Sequence, residues 1–326
     1  MRRWRLVAGL ALILTAVAAV QGASAATGTR QPTLHGARLY RSPDTDAQRA
    51  LRKLRATDPA KARLVAKIAA QPEAVWLGDW VPRRRVRAQV SALVTRATRT
   101  GRVATLVIYD IPIRDCRGYS GGGATSAAAY RAFVDQVAAG IGSRPAGVIL
   151  EPDALAGLSC LSVRQQATRL SLLRYAVRRL ASGPRTAIYL DAGHRNWQPP
   201  AVMATRLHAA GVALARGFSL NVANFDTTAS EVVYGRQISL LTGGKHFVID
   251  TGRNGAGPAK GAMAWCNPAG RALGQRPTTH YPVGAVDALL WIKPVGESDG
   301  SCGRGEPSAG HWWLSYALGL ARRAAW

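Results

Sequence analysis

The chain has 326 residues, with 43 Lys plus Arg against 18 Asp plus Glu and a formal net charge of +25. At 48% hydrophobic and 19% charged residues it can bury a large core, which excludes a disordered or fibrous chain, and its length suits one barrel-sized domain. No basic run is interleaved with aromatic residues and no nucleic-acid motif occurs, so the charge reads as a solvated helical exterior able to meet anionic cell-wall polymers rather than as a nucleic-acid interface.

Residues 1–25 read as a signal peptide. Arg2, Arg3 and Arg5 precede an apolar run over 6–20, and Ala23-Ser-Ala25 supplies a small-x-small cleavage site. That run is shorter than the ~20 residues of a spanning helix, and no later stretch is apolar enough to cross a bilayer. Residues 26–38 read as a flexible leader and 39–326 as one domain without linker, repeat or appended module.

Seven apolar runs rich in β-branched residues then recur, at 74–77, 104–109, 146–150, 186–190, 218–222, 246–249 and 288–292. They are continuous rather than alternating, as in strands buried on both faces. Amphipathic stretches with helical spacing lie between most of them, at 46–70, 86–100, 126–141, 162–181 and 228–241. Strand–helix alternation implies an α/β fold with parallel strands. Seven strands point to a distorted, TIM-barrel-like (β/α) barrel, with a doubly wound open sheet as the alternative.

Polar and acidic residues follow nearly every run. Trp76 and Asp79 lie at the first, Asp110, Arg114 and Asp115 after the second, and Glu151-Pro-Asp153 after the third. Asp191, His194 and Trp197 follow the fourth, Asn221 and Asn224 close the fifth, Asp250 and Arg253 follow the sixth, and Lys293, Glu297 and Asp299 follow the seventh. In a parallel barrel these strand ends share one face, where barrel enzymes carry their chemistry. A single such Asp is as readily a turn former or helix N-cap; recurrence along the chain is what points to a site. No G-x-S-x-G, H-E-x-x-H or phosphate-binding loop occurs, and Gly121-Gly-Gly123 reads as a flexible loop of the site. Carboxylates with tryptophans suit sugars: the acids transfer protons, and indoles stack on pyranose faces.

Four cysteines, Cys116, Cys160, Cys266 and Cys302, form an even set without a C-x-x-C pair, which favours two disulfides over a zinc site in an exported chain. Pairing 116 with 160 and 266 with 302 would pin neighbouring loops on the polar face, each bond closing some forty residues and stabilising the fold by roughly 4 kcal/mol.

In order, the motifs Val107 to Cys116, Ile149-Leu-Glu-Pro-Asp153, Tyr189-Leu-Asp-Ala-Gly-His194, Asn221-Val-Ala-Asn224, Trp265-Cys-Asn267, Arg276-Pro-Thr-Thr279 and Trp291 to Gly300 resemble glycoside hydrolase family 6, the endo-β-1,4-glucanases and cellobiohydrolases. The resemblance implies a distorted seven-stranded barrel and a secreted, inverting hydrolase of cellulose or related β-1,4-glucan, with no metal or cofactor. It maps the general acid onto Asp153, a carboxylate that tunes it onto Asp115, and the candidate base onto Asp299. Tyr109 matches a residue crowding the sugar at the cleavage point, and Trp76, Trp197 and Trp265 match stacking positions. Lys293 and Glu297 match residues that bind sugar hydroxyls, and Asp191, His194 and Asn221 are expected to line the cleft. Arg114 and Arg253 are expected to limit the negative charge of the site. The short segment after Lys293 favours an open cleft and endo cleavage. The competing reading is a non-catalytic or weakly catalytic glycan-binding protein of the cell envelope on the same fold; retention of Asp115, Asp153 and Asp299 argues against a non-catalytic binder.

Overall fold

The computed structural model describes Met1 and residues 31–326, so the expected signal peptide and the start of the leader lie outside the described residues. Strands β1 (Val75–Leu77), β2 (Ala104–Ile108), β3 (Ala146–Leu150), β4 (Thr186–Asp191), β5 (Gly217–Leu220), β6 (His246–Asp250) and β7 (Val286–Leu290) lie side by side in chain order. Every pair is parallel. The sheet curls into a half-barrel. Around it lie α1 (Asp46–Thr57), α2 (Pro59–Ala69), α3 (Arg83–Arg99), α4 (Ala127–Ile141), α5 (Val163–Ala181), α6 (Pro200–Ala209), α7 (Thr228–Leu241) and α8 (Leu314–Arg322).

The continuous apolar runs follow from burial on both faces. Leu106, Ile108, Val148, Leu150 and Ile188 join the outer core beneath the helices. Val107, Ile149, Tyr189, Val248 and Leu290, which alternate with such residues along their strands, fill the barrel interior. The barrel does not close by a ladder. Among the described residues, β1 and β7 meet at one parallel bridge, Glu73 to Trp291, where Ala74 N donates to Trp291 O at 3.0 Å. A separate cluster of α1, α2 and α8 residues around Trp291 covers that seam.

Three details differ from expectation. The single helix expected over 46–70 is two, because Asp58 leaves the helical conformation, caps α2 through its side chain on Lys61 N, and is followed by Pro59 at the first helical turn. The described part of the expected flexible leader is packed: Leu34 is fully buried in the barrel interior and its N donates to Tyr189 Oη at 3.1 Å. Burying a leucine stabilises by roughly 1.5–3 kcal/mol, which holds this segment across the barrel. Finally, a register shift between β6 and β7 leaves Asp287 as an extra residue on β7. Its carboxylate accepts from Arg216 at 2.7 and 2.9 Å and from Tyr189 Oη at 2.7 Å. Burial pushes that carboxyl up, but Arg216 and Tyr189 outweigh it and hold it below the usual range.

Candidate active site

The strand ends open into a cleft of about 1140 Å³, larger than the ~300–1,000 Å³ of most single-ligand sites. Trp76, Tyr109, Asp115, Asp153, Lys293 and Asp299 line it. His194, Trp197, Trp265 and Glu297 line it as well.

Asp153 sits on a turn after β3 in which Glu151 and Asp153 both take positive φ, 54° and 69°. Such conformations cost roughly 1–3 kcal/mol each and persist where surroundings impose them. Here Asp153 N donates to Asp191 Oδ1 at 3.0 Å, and Glu151 accepts from Asp110 N and Ile111 N. Burial pushes the Asp153 carboxyl well above the usual carboxylate range, and the negative charges of Asp191, Asp115 and Asp299 push it further. Only the Tyr109 hydroxyl, 3.5 Å from Oδ2, acts as a donor against the rise.

Asp115 is wired to Asp153 through two hydroxyls. Its Oδ2 accepts from Ser120 N at 2.9 Å and Ser120 Oγ at 2.8 Å, and Ser120 Oγ lies 3.1 Å from Tyr109 Oη. Each hydroxyl has one proton to donate. With the Ser120 proton turned to Asp115, the single Tyr109 proton can go to Ser120 Oγ or to Asp153 Oδ2, but not to both at once. Asp299 Oδ2 accepts from Arg253 Nη1 at 2.8 Å and from Asn267 N at 3.0 Å. Arg253 therefore neutralises part of the site's charge, as expected. Arg114 also lines the cleft, but its ion pair is with Asp79 at 2.8 Å, and it donates to the carbonyls of Tyr109 and Ser120. It clamps the loop that carries Asp115.

Two residues expected to line the cleft are buried beneath it instead. Asp191 is 1% exposed, and its oxygens accept from Asp153 N, Gly193 N and Ser219 Oγ, so it lies beneath Asp153 and seats it. Asn221 is fully buried and spends its amide on the carbonyls of Asp226 and Asp250; Asn224 lines the cleft in its place. His194 does face the cleft, with Nδ1 2.8 Å from Asp226 Oδ2. Lys293 Nζ lies 3.5 Å from Glu297 Oε2. Burial pushes the Glu297 carboxyl up to about 7.

The loops above the site are tied down. Disulfides join Cys116 to Cys160 and Cys266 to Cys302. The glycine loop expected to be flexible is pinned: Gly123 N donates to Asp79 Oδ2 at 2.9 Å, and a Cβ there would meet Ile111 O at 2.1 Å. Tyr119 of the same loop packs against Trp265 with ring centroids 6.0 Å apart. It also rests on Gly300, whose φ is 142° and where a Cβ would lie 2.4 Å from that of Tyr119. Loops from opposite sides of the barrel thus touch at Tyr119.

Sequence reading missed Ser120, because serine in a glycine-rich loop carries no signal of its own. It also missed Arg169 of α5, 3% exposed, which donates to Pro112 O, Ile113 O and Ala154 O and so links the two loops bearing Asp115 and Asp153.

The architecture is that of a parallel β/α half-barrel with an acid-rich, tryptophan-lined cleft at the carboxyl ends of its strands. The chain belongs to the glycosyl hydrolases family 6, which it matches over residues 34–324. It is 46% identical over 289 residues to endoglucanase A of Cellulomonas fimi, a match covering 88% of this chain and 62% of that protein. It is 39% identical over 319 residues to endoglucanase 1 of Streptomyces halstedii, covering 95% and 94%. Among solved structures it resembles the endoglucanase Cel6 of Mycobacterium tuberculosis in complex with methyl-cellobiosyl-4-deoxy-4-thio-β-D-cellobioside. That likeness has a TM-score of 0.86 and 47% identity, over 89% of this chain and 98% of the other. The chain spans 62% of the length of the Cellulomonas fimi relative.

Proposed function

We propose that the chain is an exported, inverting endo-β-1,4-glucanase acting on cellulose or a related glucan. The observation that carries this reading is Asp153, a buried carboxyl in a tryptophan-lined cleft whose hold on its proton is raised by burial and by three neighbouring acids. Asp153 gives its proton to the departing glycosidic oxygen. Asp299, ion-paired with Arg253, is the candidate acceptor of the proton from the attacking water. Asp115 stabilises positive charge on the sugar and, by its own negative charge, favours the protonated form of Asp153. Trp76, Trp197 and Trp265 stack on glucosyl rings, and Lys293 and Glu297 bind hydroxyls. Endoglucanase relatives at 46% and 39% identity support the same activity.

Export rests on the amino-terminal pattern and suits the two disulfides. Among the described residues no helix is long and apolar enough to cross a membrane. The exposed Arg83, Arg84, Arg85 and Arg87 at the start of α3, a helix without an acidic residue, suit contact with anionic cell-wall polymers.

The test is Asp153→Asn. Loss of a positioned acid lowers turnover by roughly 10²–10⁴-fold, so the fall in viscosity of soluble cellulose should slow by that much while cello-oligosaccharide affinity and melting temperature hold. A variant with full turnover would rule out the acid assignment, and wild-type cellobiose release without loss of viscosity would rule out endo action.

A further inference from the structure

The cleft does not end at Trp76. Val75 packs against the outer core and Trp76 against the barrel interior, yet both line the same cavity. The cavity therefore passes over the rim of β1, where the β1–β7 seam lacks a ladder, and continues outside the barrel. One wall of this arm is α3. Gln89, Leu93 and Arg96 line it at positions i, i+4 and i+7, one stripe of the helix, with Gln89 and Arg96 exposed. The facing wall is Ser42, Thr45 and Arg49, at and before the start of α1. Arg49 is braced by Asp46, 2.6 Å away.

These walls are polar, and apart from Leu93 they offer little apolar surface for a protein segment. They offer amide, hydroxyl and guanidinium groups and the carboxylates of Asp44 and Asp46, all partners of sugar hydroxyls. The arm also continues directly from the site, so a polymer lying across Trp76 reaches it without a break.

We propose that the groove between α1 and α3 is an additional glucan-binding site, seating glucosyl units of the same chain beyond those at Trp76, with Gln89 and Arg96 donating to their hydroxyls. This rests on the glucanase reading above. It makes the seam a path for a polymer that continues past the cleavage point, as internal cleavage requires.

The test is the double variant Gln89→Ala with Arg96→Ala, both on an exposed helix face where substitution costs little stability. Rates are measured on cello-oligosaccharides from three to six units. Lost hydrogen bonds lower kcat/KM on the longest substrate by roughly two- to ten-fold, while the shortest substrate cleaved keeps its rate. An unchanged length dependence, or an equal loss at every length, would overturn the site. So would a loss confined to carboxymethylated glucan and removed by salt, since that marks an anion site. The same double substitution in the Asp153→Asn background is titrated with cellohexaose by calorimetry. Weakened binding there supports the site even if wild-type hydrolysis fails and takes the parent reading with it; unchanged binding overturns it.

Discussion

At the scale of single residues, the proposed chemistry depends on one carboxyl that keeps its proton and a second that makes this easier. Asp115 raises Asp153 by its negative charge, while the Tyr109 hydroxyl that joins them through Ser120 works against the rise. Removing that charge by Asp115→Asn lets Asp153 ionise at lower pH. The alkaline limb of the kcat/KM profile, which follows loss of the acid's proton, should then move to lower pH; a limb that stays in place would separate the two residues. Asp153, Asp115 and Asp299 were legible because they follow parallel strands, whose ends share a face. Asp191 and Asn221 obeyed the same rule and still turned inward. Asp191 is the last residue of β4, and Asn221 takes a φ of 63°, and neither side-chain direction is written in a residue's place after a strand.

At the scale of elements, the loops are the strained part of the molecule. Ile113, Asp115, Cys116 and Arg117 all take positive φ, which for a β-branched residue such as Ile113 is a true outlier. The Cys116–Cys160 disulfide and Arg169 hold that loop against the one bearing Asp153. Arg169→Ala leaves buried carbonyls without a donor and should cost about 3 kcal/mol of stability. At a temperature where the variant is folded, kcat should fall by up to ~10²-fold with little change in KM, as for a small misplacement of reacting groups. Unchanged kcat would show that the loops keep their spacing without it. Arg169 was not legible: it stands among Arg164, Arg174, Arg178 and Arg179 on α5 and reads as one more solvated arginine. Most strands and the longer helices were legible from periodicity. Helices α6 and α8 were not, being short, with 10 and 9 residues, and lacking a side-chain cap.

At the scale of the whole molecule, acids are few and many are inside. Burial pushes Glu73, Glu151 and Glu231 each up to about 8 and Asp110 up to about 7. A carboxyl whose folded pKa is raised favours the native state while protonated. That contribution is complete below its unfolded value of ~4 and is lost as pH rises through about 7 to 8. Asp287 works the other way: its pKa is depressed, so its contribution is present above ~4 and lost in stronger acid. Stability should therefore peak in mild acid, and melting temperature should fall steadily from pH 5 to pH 9. Glu151→Gln should flatten that slope, and a melting temperature that rose over this range would contradict the burial account.

The half-barrel brings Asp153 and Asp299 to one cleft, and inversion needs an acid and a water-activating base acting from opposite faces of the sugar. The most direct test is NMR of cello-oligosaccharide hydrolysis at early times. Release of the α-anomer first, with later mutarotation to β, is the required result; the β-anomer appearing first would mean a covalent intermediate and would contradict the assignment of Asp153 and Asp299 to single displacement by water.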